Sequence, residues 1–203
     1  MDDNWEYWNR NAKRYDRDVV QERDTLYTQL EELMSKHLSE DMDVLELCSG
    51  SGNLAKAFSS SVHSWTGVDY SDEMVNDAND LGISNASFLV GDAQDIGFPD
   101  ESFDAVVNIN ALQVIPSPEK CLKEAGRVLK RDGRILCSAY VEHAHMPQVM
   151  TSIEENDGFM SYHKWKSEDF VSLVENSGFN VVSSCVLINE AEAVCYISAE
   201  KTK

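Results

Sequence analysis

The strongest structural signal in the chain lies at residues 44–55, VLELCSGSGNLA. A short apolar run ends in a turn that contains Gly50 and Gly52, and a segment with helical character begins at Asn53. This pattern predicts a buried parallel strand that passes directly into a helix. Glycine permits unusual backbone dihedrals and the close approach of a ligand, and free N–H groups at the start of the helix can bind an anion. A glycine-rich turn that binds nothing would have the same pattern.

Three acidic residues accompany the first three predicted strands. Glu46 lies inside the first strand, and Asp69 lies at the end of the second, SWTGVDY at 64–70. Asp92 follows the third strand, ASFLVG at 86–91. Open α/β sheets bind ligands at the carboxyl ends of their strands, and an acid after the second strand binds ribose hydroxyls in doubly wound folds. Three acids at successive strand ends beside a glycine loop therefore indicate a nucleoside-binding site.

The rest of the chain alternates short apolar runs with amphipathic stretches, which is typical of βαβ units. Strands are predicted at 43–48, 64–70, 86–91, 102–109, 133–140, 180–188 and 193–199. Helices are predicted at 22–38, at 53–60, after Ser71, after Ser117, and from a cap at Ser167 to Gly178. The last two strands are joined by NEAE, which is too short for a parallel crossover and predicts an antiparallel hairpin. We therefore expect an α/β fold with a doubly wound, mostly parallel seven-stranded sheet, a C-terminal antiparallel hairpin and helices on both faces.

Four segments resemble the class I S-adenosylmethionine (SAM)-dependent methyltransferases, which have a Rossmann-like fold. They are VLELCSGSG, GVDYSDEMV, GDAQDIGFPDESFDAVV and LKRDGRILCSAY, within 43–140. The similarity is greatest to the ubiquinone/menaquinone-biosynthesis group and related small-molecule enzymes. Cys48 stands where this family usually has its first glycine, so that turn position must accommodate a Cβ atom.

The resemblance implies SAM as the cofactor and assigns residues to its methionine end. Glu46 would bind the amino end of the methionine, directly or through water. Backbone groups from Cys48 through Gly50 to Gly52 would approach the amino acid part. Asn108 and Ile109, at the end of the fourth strand, would lie under the methionine portion.

The same resemblance assigns residues to the nucleoside end of SAM. Asp69 would accept hydrogen bonds from both ribose hydroxyls, and Tyr70 and Met74 would pack on the adenine. Asp92 would accept from the adenine amino group, with the Ala93 N–H beside it. Met74 could instead face the core, as apolar residues of amphipathic helices usually do.

The N-terminal run WEYWNRNAKRYD places Trp5, Tyr7, Trp8 and Tyr15 in a polar background. Large aromatic side chains contribute most when they cover other surface, so these residues should pack on something. The family resemblance suggests a lid over SAM that Tyr15 contacts. The tryptophans could instead pack a helix against the sheet edge.

Methyl transfer from SAM needs an aligned nucleophile, and positioning can supply much of the rate without a general base. The catalytic candidates near the open end of the sheet are Tyr15, Gln113, Tyr140, His143 and His145. Tyr162 and His163 lie in an insert before the last helix. His143 and His145 could suggest a metal pair, but no third ligand accompanies them, so we predict no metal site.

Composition narrows the classes of acceptor and partner. Lysine and arginine total 17 against 36 aspartate and glutamate residues, a formal net charge of -19. Such a surface repels nucleic acids and anionic membranes, so we expect a small-molecule acceptor. The acidic, aromatic N-terminus does not resemble a signal peptide, no apolar run is long enough for a membrane span, and the five cysteines fit a reducing compartment. These features predict a single cytoplasmic domain over 1–203, with an N-terminal helical segment at 1–40, a cofactor-binding core at 43–140 and an acceptor-side region at 141–203.

Two other functions fit parts of the pattern. GSGNLA matches the G-x-G-x-x-A motif of an NAD(P)-dependent oxidoreductase, in which Asp69 would bind ribose. That function leaves Glu46, the GDA segment and the terminal hairpin unexplained. A non-catalytic SAM-binding subunit is the second alternative, because a cofactor site can persist without an acceptor site.

Overall fold

The computed structural model describes residues 5–13, 25–142, 162–190 and 192–202. The strands are β1 (Asp43–Leu47), β2 (Ser64–Asp69), β3 (Ala86–Val90), β4 (Phe103–Ile109), β5 (Leu129–Tyr140), β6 (Phe179–Ile188) and β7 (Ala193–Lys201). They form one sheet in the order β3-β2-β1-β4-β5-β7-β6. The first five strands are parallel, and β7 is antiparallel to both β5 and β6.

Helices cover both faces of this sheet. They are α1 (5–13), α2 (Thr25–Met34), α3 (Asn53–Phe58), α4 (Asp72–Asp80), α5 (Pro118–Val128) and α6 (Ser167–Asn176). One apolar cluster joins α2, α3 and α4 to one face of the sheet, with Trp65 and Phe88 buried inside it. A second cluster joins α5 and α6 to the other face, through residues such as Leu122 and Phe170. The predicted doubly wound, mostly parallel sheet with its antiparallel C-terminal hairpin is confirmed.

The order of the strands explains where a ligand site can form. The chain leaves β1 toward β2 on one side and later crosses to β4 on the other side. The connections therefore diverge at the carboxyl end of β1, which leaves a crevice between the two halves of the sheet. The glycine loop that follows β1 lies at this crevice.

The predicted start of the fifth strand, at 133, is wrong. β5 begins at Leu129, which pairs with Phe103, and the register then shifts so that Arg134 pairs with Ala105. Gly133 allows this irregularity, because a Cβ atom there would lie 2.9 Å from the carbonyl oxygen of Lys130. The turn-like sequence KRDG is therefore absorbed into a bulged strand.

The N-cap residue predicted from the sequence is found at α4 but not at α6. The Ser71 hydroxyl accepts a hydrogen bond from the Met74 N–H at 3.2 Å, as the predicted N-cap of α4 should. The predicted cap at Ser167 is wrong, since Lys166 is the N-cap of α6 and Ser167 is its first residue. The Ser167 hydroxyl instead donates to the neighbouring Glu168 carboxylate at 3.3 Å. No helix within the described ranges is long and apolar enough to span a membrane.

Candidate cofactor-binding site

Asp69 links the glycine loop to the start of α4. Its Oδ2 accepts a hydrogen bond from the Gly50 N–H at 2.8 Å, and its Oδ1 accepts one from the Ser71 N–H at 2.9 Å. Burial raises the pKa of Asp69, while the backbone donors favour its charged form. A carboxylate oxygen can accept more than one hydrogen bond, so Asp69 retains acceptor capacity for a pair of hydroxyls.

The glycine loop contains three residues in the left-handed region of backbone space. They are Cys48 with φ 60°, Gly50 with φ 53° and Gly52 with φ 82°. Glycine adopts this region without a steric penalty, whereas a residue with a Cβ atom costs about 1–2 kcal/mol there. Cys48 therefore adopts a backbone conformation that is typical of glycine, and the turn accommodates its Cβ atom, as the sequence analysis expected.

Two glycines make room for the ring of Phe88 beneath this loop. A Cβ atom at Gly52 would lie 3.0 Å from Phe88 and 3.0 Å from Leu81. A Cβ atom at Gly67, on β2, would overlap Phe88 and lie 2.7 Å from the Ser49 hydroxyl. Gly67 was not singled out from the sequence, because an isolated glycine within a strand gives no sign of the ring that it must accommodate.

Glu46 is a buried carboxyl group next to this loop. It is 4% exposed, and its Oε2 accepts a hydrogen bond from the Trp65 indole N–H at 2.8 Å. The pKa of Glu46 is raised to about 8, chiefly by burial and also by the negative charge of Asp69, while the hydrogen bond from the Trp65 indole lowers it. Glu46 is therefore mostly neutral near pH 7 in the free protein. The sequence did not indicate Trp65, which lies 19 positions away on β2.

The end of β4 is fastened to its neighbours by asparagine side chains. Asn108 is 1% exposed and donates to the Leu47 carbonyl at 3.0 Å, and its Oδ1 is buried without a partner among the described residues. Asn110 has φ 54°, and its Oδ1 accepts from the Ser138 hydroxyl of β5 at 2.7 Å. Ile109 packs against the apolar cluster of α2, α3 and α4. Asn110 and Ser138 were missed, because their pairing depends on β4 and β5 being neighbours.

Asp92 is oriented by Gln94. Its Oδ1 accepts from the Gln94 backbone N–H at 2.8 Å and from the Gln94 side chain at 3.0 Å. The Gln94 side-chain oxygen in turn accepts from the Ser117 N–H at 3.1 Å, before α5. Ala93 is 7% exposed between them. Asp92 is thus held at the carboxyl end of β3, on the same edge as Asp69.

The first helix docks on the start of α4. The Asn9 side-chain oxygen accepts from the Ser71 hydroxyl at 2.5 Å and from the Glu73 N–H at 3.3 Å. Met74 is 2% exposed beside this contact, and Tyr70 is half-buried. The first helix therefore contacts the start of α4 through Asn9, near the carboxyl end of β2.

Gln113 connects the end of β4 to the segment before α6. It is 2% exposed, and its side chain donates to the Asn110 carbonyl at 2.6 Å. Its own carbonyl accepts from the N–H groups of Tyr162 at 2.9 Å and His163 at 3.2 Å. The His163 ring stacks on Trp165, with centroids 5.2 Å apart. These residues form one wall beyond β4, which could contact an acceptor.

Of the other catalytic candidates, the structure describes Tyr140 alone. Tyr140 is half-buried and packs against the cluster of α2, α3 and α4. Tyr15, His143 and His145 lie outside the described residues. Within the ranges that the structure covers, no group of His, Cys, Asp and Glu side chains is arranged to hold a metal ion.

These contacts bring together most of the residues predicted for a cofactor site. The glycine loop, Asp69, Asp92 and Glu46 share the carboxyl edge of the parallel strands. The unpartnered Oδ1 of Asn108 and the buried, mostly neutral Glu46 are polar groups that the described fold leaves without full compensation. Such groups fit a ligand with a cationic, hydrogen-bonding amino acid end and a ribose, as SAM has.

Known proteins match this chain in its central region. The family model described as "Methyltransferase domain" matches residues 45–137. The uncharacterized methyltransferase YcgJ of Bacillus subtilis is 36% identical over 97 residues, 46% of this chain and 38% of that protein. The ubiquinone/menaquinone biosynthesis C-methyltransferase UbiE of Brucella canis is 31% identical over 121 residues, 50% of this chain and 45% of that protein. The chain thus spans less than half the length of these two relatives.

A solved structure extends the likeness to nearly the whole chain. It comes from the complex between the Haloferax volcanii Trm112 methyltransferase activator and the putative methyltransferase, with a TM-score of 0.79 and 20% identity. The superposition covers 99% of this chain and 97% of that chain, and at this identity it establishes the fold. The predicted resemblance to the ubiquinone/menaquinone-biosynthesis group is confirmed by the relatives. The central region of the chain, residues 45–137, therefore matches a methyltransferase domain, and the relatives that it resembles are named methyltransferases.

Proposed function

We propose that this protein transfers a methyl group from SAM to an acceptor by in-line displacement, and that it acts mainly by positioning. The observation that carries this proposal is the carboxylate of Asp69, held by the N–H groups of Gly50 and Ser71 at the crevice beside β1. The bound sulfonium supplies an already activated methyl group. Asp69 holds the ribose, Glu46 holds the amino end of the methionine, and Asp92 accepts from the adenine amino group.

The acceptor side needs alignment and the exclusion of water rather than a strong base. Gln113 and the segment that it holds at Tyr162 and His163 form the wall from which an acceptor would approach. The buried Gln113 Oε1 has no hydrogen-bond partner among the described residues, so it can orient an acceptor that carries a donor group. We infer a small organic acceptor, in keeping with the strongly acidic surface.

The cofactor part of this proposal is tested by calorimetry with SAM, S-adenosylhomocysteine and NADH on the wild type and on Asp69→Asn. We expect binding of the first two ligands and none of NADH. Asp69→Asn should weaken both by about 10- to 100-fold, the range for lost hydrogen bonds to a charged group. Asp80→Asn, an exposed residue in the last turn of α4, removes the same charge and should bind normally.

Three outcomes would change or contradict the proposal. Binding of NADH without SAM would favour the oxidoreductase alternative. Binding of SAM with no transfer of labelled methyl to any member of an acceptor panel would favour a non-catalytic subunit. Equal affinities of wild type and Asp69→Asn would remove Asp69 from the site.

A second proposal concerns a protein partner, because the solved neighbour comes from a complex with the Trm112 methyltransferase activator. In this chain β3 is an outer strand of the sheet, and alternate residues of an edge strand turn their N–H and C=O groups away from the sheet. Three large apolar side chains are exposed on or beside it, with Leu81 at 40%, Leu89 at 48% and Val90 at 55%. Exposed apolar edges of this kind are sites for strand addition by a partner.

The charge around β3 restricts which partner would fit. Residues 57–119 contain no lysine or arginine, while acids recur throughout, including Asp77 and Asp80 on α4. We therefore propose that a Trm112-type activator with basic residues beside an apolar strand docks on β3. An enzyme with such a partner could act on a macromolecular acceptor, which makes this proposal a rival to the small-molecule acceptor.

The partner proposal is tested by co-expression with the Haloferax volcanii Trm112 activator, followed by size-exclusion chromatography. We expect co-elution with the wild type and its loss in Leu89→Asp. Ile188→Asp is the matched control, because Ile188 is 46% exposed on β6 at the opposite edge of the sheet. Failure of the wild type to co-elute, or unaltered co-elution of Leu89→Asp, would contradict the proposal.

A further inference from the structure

The carboxyl group of Glu46 and the indole of Trp65 form a buried pair across β1 and β2. Trp65 is 0% exposed and Glu46 is 4% exposed, and the indole N–H donates to Glu46 Oε2 at 2.8 Å. Phe58 of α3 stacks on the indole, with centroids 6.3 Å apart and planes at 11°. Since an indole can donate but not accept through its nitrogen, it fixes which Glu46 oxygen is occupied.

Among the residues that the structure describes, none places a positive charge on the Trp65–Glu46 pair. Asp69 is the charged group that acts on Glu46, and it is negative. The register neighbours of Glu46 are Gly67 on β2 and Val107 on β4, which carry no charge. No described residue donates a hydrogen bond to the second oxygen, Oε1. A buried carboxylate without a cationic partner is unfavourable, so the acid stays protonated until a cation arrives.

We propose that Trp65 is a positioning residue of the cofactor site: its N–H holds Oε2 of Glu46 so that Oε1 meets the ammonium group of the methionine end of SAM, and Glu46 releases its proton when that contact forms. This inference rests on the proposed function, since it needs SAM or its product to bind. In the free protein the site holds a neutral acid, and in the complex it holds a carboxylate paired with an ammonium. The proton that leaves Glu46 goes to solvent, and no other bond is made or broken.

The Trp65–Glu46 pair should distinguish ligands that carry the amino acid end of SAM from ligands that lack it. S-adenosylhomocysteine has the amino acid end, whereas 5′-methylthioadenosine has the same nucleoside without it. Only the first ligand can use the Trp65–Glu46 pair. Loss of the indole N–H should therefore weaken the first ligand and leave the second unchanged, while a merely structural role would weaken both.

The experiment is calorimetric titration of wild type, Trp65→Phe and Glu46→Gln with these two ligands at pH 6.5, in two buffers of different ionisation enthalpy. The wild type should release about one proton on binding S-adenosylhomocysteine, because Glu46 is protonated and the ligand's amino group is already charged at this pH. Glu46→Gln should release none. Trp65→Phe, which retains an aromatic ring against Phe58, should bind S-adenosylhomocysteine about 10-fold more weakly and methylthioadenosine as the wild type does.

Folding is checked by thermal unfolding of each variant, and the isosteric Glu46→Gln keeps the test valid if Trp65→Phe does not fold. The inference is overturned if the wild type binds S-adenosylhomocysteine without releasing a proton. It is also overturned if Trp65→Phe weakens both ligands equally. If the wild type binds neither SAM nor its product, the proposed function itself fails, which is a distinct result.

Discussion

Cys48 occupies a left-handed turn position in the glycine loop, with φ 60°, although it carries a Cβ atom. Its side chain packs against the apolar cluster of α5 and α6. The strain of the backbone is thus offset in part by burial of the thiol. Burial also raises the pKa of the Cys48 thiol well above its usual value, so the residue acts as a small apolar side chain rather than a nucleophile.

We predict that two substitutions of Cys48 differ in their effect on the free energy of unfolding. Cys48→Gly relieves the backbone and loses some packing, so its free energy of unfolding should remain within about 1 kcal/mol of the wild type. Cys48→Val places a β-branched side chain at positive φ and should lose about 1–3 kcal/mol. Urea denaturation of the three proteins measures both values. A valine variant as stable as the wild type would show that the turn carries no such constraint.

Glu46 makes the stability of the free protein depend on pH. Its pKa is raised from 4.5 to about 8 in the folded chain, so between these values the native state binds more protons than the unfolded state. The stabilisation is complete below pH 4.5 and is lost as the pH rises through 8. The raised pKa of Asp69 acts in the same direction.

We therefore expect the free energy of unfolding to fall between pH 6 and pH 8, with Glu46 contributing up to about 1.4 kcal/mol per pH unit. Glu46→Gln should remove this contribution and flatten the profile, because glutamine does not titrate. Chemical denaturation at several pH values measures the slope. Parallel profiles for wild type and Glu46→Gln would show that Glu46 is ionised in the free protein throughout.

At the scale of elements, Arg127 of α5 anchors the loop that follows β3. Its guanidinium group donates to both oxygens of Glu124 at 2.8 Å and to the carbonyl oxygens of Ile96 at 2.8 Å and Phe98 at 2.7 Å. The Glu124 carboxylate also accepts from the Ile96 N–H at 3.0 Å. The planar fork of arginine matches these acceptors, whereas an ammonium group cannot reach all of them. The loop contains Asp92, so its anchoring bears on the adenine end of the proposed site.

We predict that Arg127→Lys lowers the free energy of unfolding by about 2 kcal/mol, since the part-buried carbonyl groups of Ile96 and Phe98 and the Glu124 carboxylate lose hydrogen-bond donors. It should also weaken binding of methylthioadenosine, because Asp92 loses a rigid support. Arg131→Lys is the control, as Arg131 is 86% exposed and forms a single 3.4 Å contact with Glu101. Denaturation and calorimetry measure the two effects. If Arg127→Lys is as stable as the wild type and binds methylthioadenosine with the same affinity, the Arg127 contacts do not support the proposed site.

At the scale of the whole molecule, the dominant property is a formal net charge of -19. Like charges on one surface repel each other and destabilise the compact state. The described ion pairs, such as Arg134 with Glu200 and Lys130 with Asp104, engage basic residues that are few in number. Most of the acidic excess must therefore be compensated by counterions from solution.

We predict that the melting temperature rises by several degrees when NaCl is raised from 0.1 to 1 M, which shortens the Debye length from about 10 Å to about 3 Å. Screening of the excess acids outweighs the weakening of the exposed ion pairs, whose individual contributions are small. Calorimetric scans at increasing salt measure the effect. A melting temperature that falls with salt would mean that the ion pairs dominate.

The strand–turn–helix unit around Gly50, the positions of Asp69 and Asp92 at strand ends, and the antiparallel hairpin could all be predicted from the amino-acid sequence. These features follow from local periodicity, glycine placement and loop length, which act over a few neighbouring residues. The same local reasoning misplaced the start of β5, because a turn-like stretch was drawn into the sheet by pairing with β4.

Which side chains meet at the site could not be predicted from the sequence, because it depends on long-range contacts. The Trp65–Glu46 bond joins residues 19 positions apart, Ser138 and Asn110 lie 28 apart, and the contact of Asn9 with Ser71 spans 62. Each contact depends on strand order, on which face of the sheet a side chain occupies, or on where a distant helix docks. These are set by the packing of the whole chain, so no local pattern encodes them.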